Sequence, residues 1–216
     1  ETSTIAFLSS IDFTSPEIKE IFEKNQSLIL RISNIIKSLK NFSRDGSNDD
    51  FQMTPVKDIM QDALVLCSKR FLHNGVELNI DDIPDDLEIP CRHSELAQVL
   101  VNLLINSFDA VMELDKEKKW VNVALNINSS HCQITITDCG VGIPKELHQK
   151  ILNPFFTTKE IGKGTGLGLS ISKNIITSHG GEFYIDSESE NTCFVIRLPL
   201  QQTIKDKGNK DVKENV

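Results

Sequence analysis

The sequence predicts an α+β protein in which a two-layer α/β sandwich, a mixed β-sheet with helices on one face, follows a helical dimerisation segment. Three observations predict this class. Helical and strand-like patterns are mixed along residues 51–200. Two strand-like runs are separated by only a short polar turn, which is typical of a β-hairpin and of antiparallel pairing. Residues 15–44 carry apolar side chains with a heptad repeat, which is typical of helices that pack on other helices.

The heptads of residues 15–44 define two seams. One seam holds Ile18, Asn25, Ile32 and Leu39, and the other holds Ile21, Leu28, Ile35 and Phe42. Phe22, Ile29 and Ile36 widen the apolar stripe to a width that suits a four-helix bundle. One helix cannot bury such a stripe alone, so we expect these residues to form a homodimer, to fold back on residues 4–10, or both. Packing against the following domain is the alternative.

The rest of the chain divides into a linker, one large domain and a tail. Residues 45–50 are polar with one glycine and predict a linker, which leaves residues 1–44 as a partial helical dimerisation hairpin. The large domain covers residues 51–200. Residues 201–216 are charged and poor in apolar side chains, so we predict a disordered tail.

Composition excludes some classes of function. The 216 residues carry a net charge of −8, which argues against a nucleic-acid partner. We find no apolar run long enough to span a membrane and no signal peptide, and we expect this part of the protein to be cytoplasmic. The sequence does not begin with Met, so we expect a piece of a longer protein, which can carry a membrane anchor elsewhere.

The cysteines predict buried thiols rather than a metal centre built from soft ligands. They are Cys67, Cys91, Cys132, Cys139 and Cys193. None forms a C-x-x-C pair, and none shows zinc-ligand spacing with a histidine. A scattered set of this kind is typical of core thiols in a reducing compartment.

Taken in order, the patterns in the large domain predict its elements. Helices are predicted over residues 54–71, 94–114 and 167–181, the first with Thr54 as its cap and Pro55 in its first turn. Strands are predicted over residues 76–80, 120–128, 132–138, 182–186 and 192–200, with a hairpin turn at 129–131.

The long helix at residues 94–114 is apolar except for one narrow polar stripe. At the helical period the stripe contains Glu95, Gln98, Asn102, Asn106, Asp109 and Glu113. Asn is a weak helix former, so two of them inside a helix need a reason. Amide and carboxylate oxygens suit Mg²⁺ held together with phosphate oxygens. The alternative is a solvated seam, and the helix alone leaves both interpretations open.

The strand at residues 132–138 ends on an inward-facing carboxylate. Alternation places Cys132, Ile134, Ile136 and Asp138 on one face, which is the core face because most of it is apolar. A carboxylate aimed at a core needs hydrogen-bond donors, and the amino group of a purine would be one. The alternative is a turn cap, since Asp before Gly is common in turns.

The stretch "GKGTGLGLS", residues 162–170, leads into a predicted helix and is typical of a phosphate site. It fits neither the P-loop nor the dinucleotide-binding spacing of glycines. The preceding stretch "NPFFTTK", residues 153–159, predicts a hinged lid with hydroxyl and ammonium groups for phosphates. The alternatives are a flexible surface loop and a phenylalanine pair that plugs a small core.

Four segments in order resemble one known family. "QVLVNLLINSFDA", "DCGVGIP", "NPFFTTK" and "GKGTGLGLS" are similar to the N box, first glycine box, F box and second glycine box of one ATP-binding domain. Sensor histidine kinases, DNA gyrase, a heat-shock chaperone family and mismatch-repair ATPases share that domain. Residues 179–199 resemble the closing segment of the kinases, and residues 31–44 the second helix of their dimerisation hairpin.

The resemblance implies binding of ATP with Mg²⁺. It implies Asn102, Asn106 and Lys159 as catalytic residues, and Asn106, with Asn102 more weakly, as the Mg²⁺ ligand. The implied nucleotide-binding residues are Asn106, Asp109, Asp138, Gly140, Gly142, Ile143, Phe155, Phe156, Thr157, Thr158, Lys163, Gly164, Thr165, Gly166, Leu167, Gly168 and Thr192. Asp138 would bind the adenine amino group. At Asp109 some of the kinases carry Lys, which puts a phosphate contact there in doubt.

One position favours a kinase over an ATPase. Family members that hydrolyse ATP have Glu four residues before the Mg²⁺-binding Asn, and here that position is Asn102, which cannot act as a base. The implied reaction is transfer of the γ-phosphate to a histidine, and the implied partner is a response-regulator receiver domain. An ATPase clamp and a nucleotide-gated dimerisation or scaffold module are the alternatives.

The acceptor of that phosphate is not evident. The histidines are His73, His93, His131, His148 and His179, and none lies in residues 1–50, where the dimerisation hairpin is predicted. We therefore expect this chain to bind ATP without phosphorylating itself.

Overall fold

The computed structural model describes residue 25 and residues 51–115, 117–159 and 164–201. Of the predicted dimerisation segment only Asn25 is described, as helical and exposed. The dimer, the linker and most of the predicted tail lie outside the described residues and stay predictions.

A five-stranded mixed sheet forms one layer of the domain. The described residues form seven strands, of which β1 and β3 lie outside this sheet. The strands are β1 (Gln52–Pro55), β2 (Val76–Ile80), β3 (Glu88–Cys91), β4 (Lys119–Ile127), β5 (His131–Asp138), β6 (Glu182–Ile185) and β7 (Cys193–Pro199). The sheet order is β2-β4-β5-β7-β6, with β2 parallel to β4 and every other pair antiparallel. The predicted β4–β5 hairpin is confirmed. Asn128 Oδ1 closes its turn by accepting hydrogen bonds from the backbone of Ser130 and His131.

The helices form the second layer. They are α1 (Val56–His73), α2 (His93–Met112), the short α3 (Lys145–His148) and α4 (Gly168–Ser178), with a 3₁₀ turn at Lys150–Leu152. Helix α2 packs between α1 and α4 and against β4 and β5. Its apolar side buries Leu103, Leu104 and Val111 completely, so α2 is the central element of the core. The predicted sandwich is confirmed.

Residues 52–55 differ from the prediction. Thr54 and Pro55 do not start a helix but belong to β1, which pairs with β3 in a separate two-stranded ladder. Helix α1 begins at Val56, whose N–H donates to Leu87 O at 3.0 Å. Neither strand was predicted, because each is four residues long and gains its stability from a partner more than thirty residues away.

Helix α2 is, within the described ranges, the one helix long and apolar enough to cross a bilayer by length and mean hydropathy. No apolar run of this length was predicted from the sequence. Its neighbours explain the composition, because α2 has helices on either side and the sheet beneath it.

All five cysteines are free and buried, as predicted. Burial raises the pKa of the Cys67, Cys91 and Cys193 thiols, and it raises the pKa of Cys132 to about 11. These side chains behave as small apolar groups of the core. Within the described part of the chain, no group of three or more His, Cys, Asp or Glu side chains is placed to hold a metal ion.

Candidate functional site

A cavity of about 650 Å³ lies beside α2, at the end of β5. Its walls come from α2, the loop after β5, the segment before Lys159 and the glycine-rich start of α4. The sequence-predicted residues that line it are Asn102, Asn106, Asp109, Asp138, Gly140, Gly142, Ile143, Phe156, Thr157, Thr158, Lys159, Gly164, Thr165, Gly166, Gly168 and Thr192. Residues from five separate stretches of sequence therefore meet at one place.

Asp138 is fully buried at one end of the cavity. Its backbone N–H donates to Thr192 O at 3.0 Å, and its Oδ1 accepts a hydrogen bond from the Gly140 N–H at 2.8 Å. A Cβ added to Gly140 would lie 2.7 Å from Asp138 Oδ1 and 3.0 Å from Thr192 Oγ1. Glycine is thus required beside the carboxylate. Because a carboxylate has about four acceptor positions, Asp138 can also accept from a donor on a ligand.

The loop after β5 continues the same wall. Gly142 adopts a φ of +81°, a conformation that residues with a side chain rarely take. Asn191 Nδ2 donates to Gly140 O at 2.8 Å, which ties this loop to the turn before β7. The wall beside Asp138 is therefore bare backbone held in place, as a flat ring would require.

The polar stripe of α2 divides in two. Asn102, Asn106, Asp109 and Glu113 line the cavity, whereas Glu95 and Gln98 do not. Asn102 Nδ2 donates to the buried Ser172 Oγ at 2.9 Å, and a Cβ added to Gly168 would overlap the Asn102 amide. Asn102 therefore fastens α2 to the first turns of α4. The part of the stripe from Asn102 to Glu113 is therefore cavity wall.

The N-terminus of α4 faces the cavity through glycines. Gly166 has a φ of +65°, and a Cβ there would overlap the carbonyl group of Phe155. The segments around Gly166 and Phe155 thus touch backbone to backbone. The exposed N–H groups and the dipole of a helix N-terminus favour an anion at this end of the cavity.

Lys159 is the cation among the described residues that line the cavity, and its ammonium is already paired. Lys159 Nζ donates to Asp109 Oδ2 at 2.7 Å, and Arg70 Nη2 donates to Asp109 Oδ1 at 2.8 Å. Asp109 was predicted to contact the nucleotide, and in the structure both of its carboxylate oxygens already accept hydrogen bonds from cations.

Two described residues of the predicted set, Phe155 and Leu167, are not part of the cavity lining. Phe155 is 62% exposed, has a φ of 67°, and contacts Gly166 through its backbone. Leu167 is 5% exposed and is the N-cap residue of α4, where its carbonyl accepts from Ser170 Oγ at 2.9 Å. Lys163 lies outside the described residues.

The sequence analysis placed Glu113 on the polar stripe but missed several apolar lining residues. They are Ile105, Ala110, Leu114, Val141, Ile151, Leu169 and Phe194. Their spacing contained a signal for some of them. Ile105 is on the same side of α2 as Asn102 and Asp109, and Phe194 follows Thr192 by two positions along the predicted strand 192–200.

Comparison with known families identifies the domain. Residues 91–202, more than half of the chain, match the family model described as histidine kinase-, DNA gyrase B- and HSP90-like ATPase. The chain belongs to this ATPase family. The matched range contains every cavity-lining residue named above, and the family predicted from the four boxes is confirmed.

The relatives within this ATPase family are sensor kinases. The chain is 32% identical over 179 residues to the C4-dicarboxylate transport sensor protein DctB of Rhizobium meliloti (strain 1021), which covers 83% of this chain. The chain spans only 28% of the length of that protein. The catalytic domain of histidine kinase ThkA is 27% identical with a TM-score of 0.61, covering 70% of this chain and 98% of that one.

A larger ThkA structure shares the fold. Histidine kinase ThkA in complex with response regulator protein TrrA superimposes with a TM-score of 0.68 at 21% identity. The superposition covers 93% of this chain and 56% of the ThkA chain. The comparisons together show the ATP-binding catalytic domain of histidine kinases.

Proposed function

We propose that this chain is the ATP-binding catalytic region of a two-component sensor histidine kinase, which transfers the γ-phosphate of ATP to a histidine side chain. One observation carries the proposal. A single cavity has a buried carboxylate, Asp138, at one end and the glycine-rich N-terminus of α4 at the other. The first end suits the amino group of adenine and the second suits phosphates.

The nucleotide would bind along this cavity. Asp138 accepts from the adenine amino group, and the bare backbone at Gly140 and Gly142 admits the flat ring. The phosphates meet the N–H groups near Gly166 and the side chains of Thr157, Thr158 and Lys159. Such fixed donors position and neutralise a polyphosphate, and phosphoryl transfer needs little else from a protein.

Mg²⁺ fits the residues at this wall. Asn106 lines the cavity and offers an amide oxygen, which is a ligand type that Mg²⁺ accepts alongside phosphate oxygens. Asn102 is committed to Ser172 through its amide nitrogen, so we assign Asn106 as the main ligand. When bound, the ion neutralises charge on the phosphates.

The site favours transfer over hydrolysis. Asn102 occupies the position of the base that activates water in the hydrolysing members of the family, and an amide cannot accept that proton. Because water is not activated, the γ-phosphate remains available to another nucleophile, the imidazole of a histidine outside the cavity. We propose that this histidine lies outside this chain, that the protein is a homodimer through residues 15–44, and that this region is cytoplasmic. TrrA bound to ThkA supports a receiver domain as the next partner.

Calorimetric titration with Mg²⁺–ADP tests the proposal. We expect the chain to bind, and Asp138→Asn to weaken binding about 10-fold to 100-fold, because a hydrogen bond to a charged group is lost. Asp82→Asn is the matched control, since Asp82 is exposed and is not among the cavity-lining residues. Equal affinities for the wild type and Asp138→Asn would place adenine elsewhere and contradict the proposal.

A further inference from the structure

Arg70 lies in the last turn of α1, outside both the cavity lining and the residues that the family model matches. Its guanidinium carbon is 4.5 Å from the centre of the Phe108 ring, and its Nη2 donates to Asp109 Oδ1 at 2.8 Å. Phe108 is buried and packs edge-on against Phe71. A cation–π contact and an ion pair thus hold Arg70 in one position.

The second oxygen of Asp109 holds Lys159. The Asp109 and Lys159 side chains are each about one quarter exposed, and both line the cavity. Arg70 and Lys159 therefore share one carboxylate, so the three side chains together keep one net positive charge. With Arg70 removed, Asp109 would cancel the charge of Lys159 at the cavity wall.

Lys159 is also positioned by its own loop. Its backbone N–H donates to Thr157 Oγ1 at 3.1 Å. A Cβ added to Gly164 would lie 3.4 Å from Lys159 Cδ and 2.9 Å from Thr157 Oγ1. The aliphatic part of Lys159 therefore packs on the bare face of Gly164, beside the N-terminus of α4.

We propose that Arg70 is a positioning residue that acts through Asp109 to keep the charge of Lys159 available to the polyphosphate of a bound nucleotide. This rests on the proposed function and adds a determinant of specificity to it. Asp109 fixes where the Lys159 ammonium lies, and Arg70 prevents Asp109 from neutralising it. Arg70 touches no nucleotide, yet it sets how strongly the cavity prefers a nucleoside triphosphate over the nucleoside.

The test compares Mg²⁺–ATP and adenosine binding to the full chain by calorimetry, with adenosine measured by competition against Mg²⁺–ATP. We expect Arg70→Gln to weaken ATP binding about 2-fold to 5-fold, the usual range for one partly exposed charge, and to leave adenosine affinity unchanged. The ratio of ATP affinity to adenosine affinity should also vary less with salt concentration in Arg70→Gln than in the wild type. Arg70→Lys keeps the charge and should recover most of the ratio.

Lys69→Gln is the matched control, because Lys69 is exposed, adjacent and equally charged. It should change the ratio much less than Arg70→Gln does. An unchanged ratio in Arg70→Gln, or an equal change in Lys69→Gln, would overturn the proposal. A parallel loss of ATP and adenosine would also overturn it, since Arg70 would then act only on folding. A wild type that binds neither ligand would overturn the proposed function as well.

Discussion

At the scale of single residues, the glycines of the cavity are explained by what a side chain would strike. Gly168 lies against the Asn102 amide, Gly140 against Asp138, and Gly166 against the backbone of Phe155. Of these three, Gly140 and Gly168 have a side chain as the obstacle. At Gly166 the obstacle is main chain that cannot rotate away, so this position is the most demanding of the three.

Gly166→Ala should lower both stability and nucleotide affinity. The left-handed φ and the clash together should cost about 1–3 kcal/mol in the free energy of unfolding, and the shifted segment should bind Mg²⁺–ADP more weakly. Urea unfolding and calorimetry measure the two effects.

Gly75→Ala is the control for the backbone cost, since Gly75 has the same φ of +65° with nothing within 4 Å of the added Cβ. It should lose stability and keep its nucleotide affinity. If Gly166→Ala binds Mg²⁺–ADP as tightly as Gly75→Ala does, the close crossing at Phe155 has no role in the site.

At the scale of elements, hydrogen bonds hold α4 at both of its ends, at the start to Asn102 of α2 and at the end to Arg92, the residue between β3 and α2. Asn102 bonds Ser172 near its start. At its end His179, which is 4% exposed, accepts at Nε2 from the Arg92 N–H at 3.0 Å and donates from Nδ1 to Ile175 O at 2.8 Å. This arrangement needs neutral imidazole, because a protonated Nε2 could not accept the bond.

The fastening by His179 predicts a pH dependence of stability. Burial lowers the pKa of His179 below its usual 6.5, and Glu95, whose Oε2 lies 3.9 Å from Nδ1, offsets this only in part. The unfolded chain therefore binds more protons, so this contribution is complete above about pH 6.5 and is lost as the pH falls below it. Urea unfolding at pH 8 and pH 5.5 measures the loss.

A substitution separates His179 from the other titrating groups. His179→Gln should lower the free energy of unfolding at pH 8 and reduce the difference between pH 8 and pH 5.5. His73→Gln, at an exposed position near the end of α1, should leave that difference as in the wild type. The same pH difference in His179→Gln and the wild type would refute the assignment.

At the scale of the whole molecule, the domain has a nucleotide site and lacks an evident acceptor. The fold places the cavity at the open end of β5, and none of the chain's histidines lies in residues 1–50, where the acceptor helix is predicted. The proposed kinase activity therefore requires an acceptor histidine that residues 1–50 do not supply.

Phosphotransfer in trans tests whether the nucleotide site and the acceptor histidine lie on separate parts of the protein. Incubated with labelled ATP and Mg²⁺, the chain alone should gain no acid-labile phosphate. Added to a longer, histidine-containing piece of the same protein, it should phosphorylate that piece, and Asp138→Asn should not, because it binds ATP poorly. Phosphohistidine on the chain alone would contradict the proposal of an external acceptor. Absence of phosphate on the added piece would favour the alternative of a scaffold module without kinase activity.

The amino-acid sequence was sufficient to predict the family, the mixed sheet with its β4–β5 hairpin, and most of the cavity wall. These depend on patterns within one segment, such as the alternation that aims Asp138 inward or the helical period that aligns Asn102 with Asn106. The three-dimensional structure was needed to find the β1–β3 ladder, the Asn102–Ser172 bond, the exposure of Phe155 and the pairing of Asp109 with Arg70 and Lys159. Each of these depends on a partner distant along the chain, and local propensity contains no information on which distant group will supply the hydrogen bond or the charge.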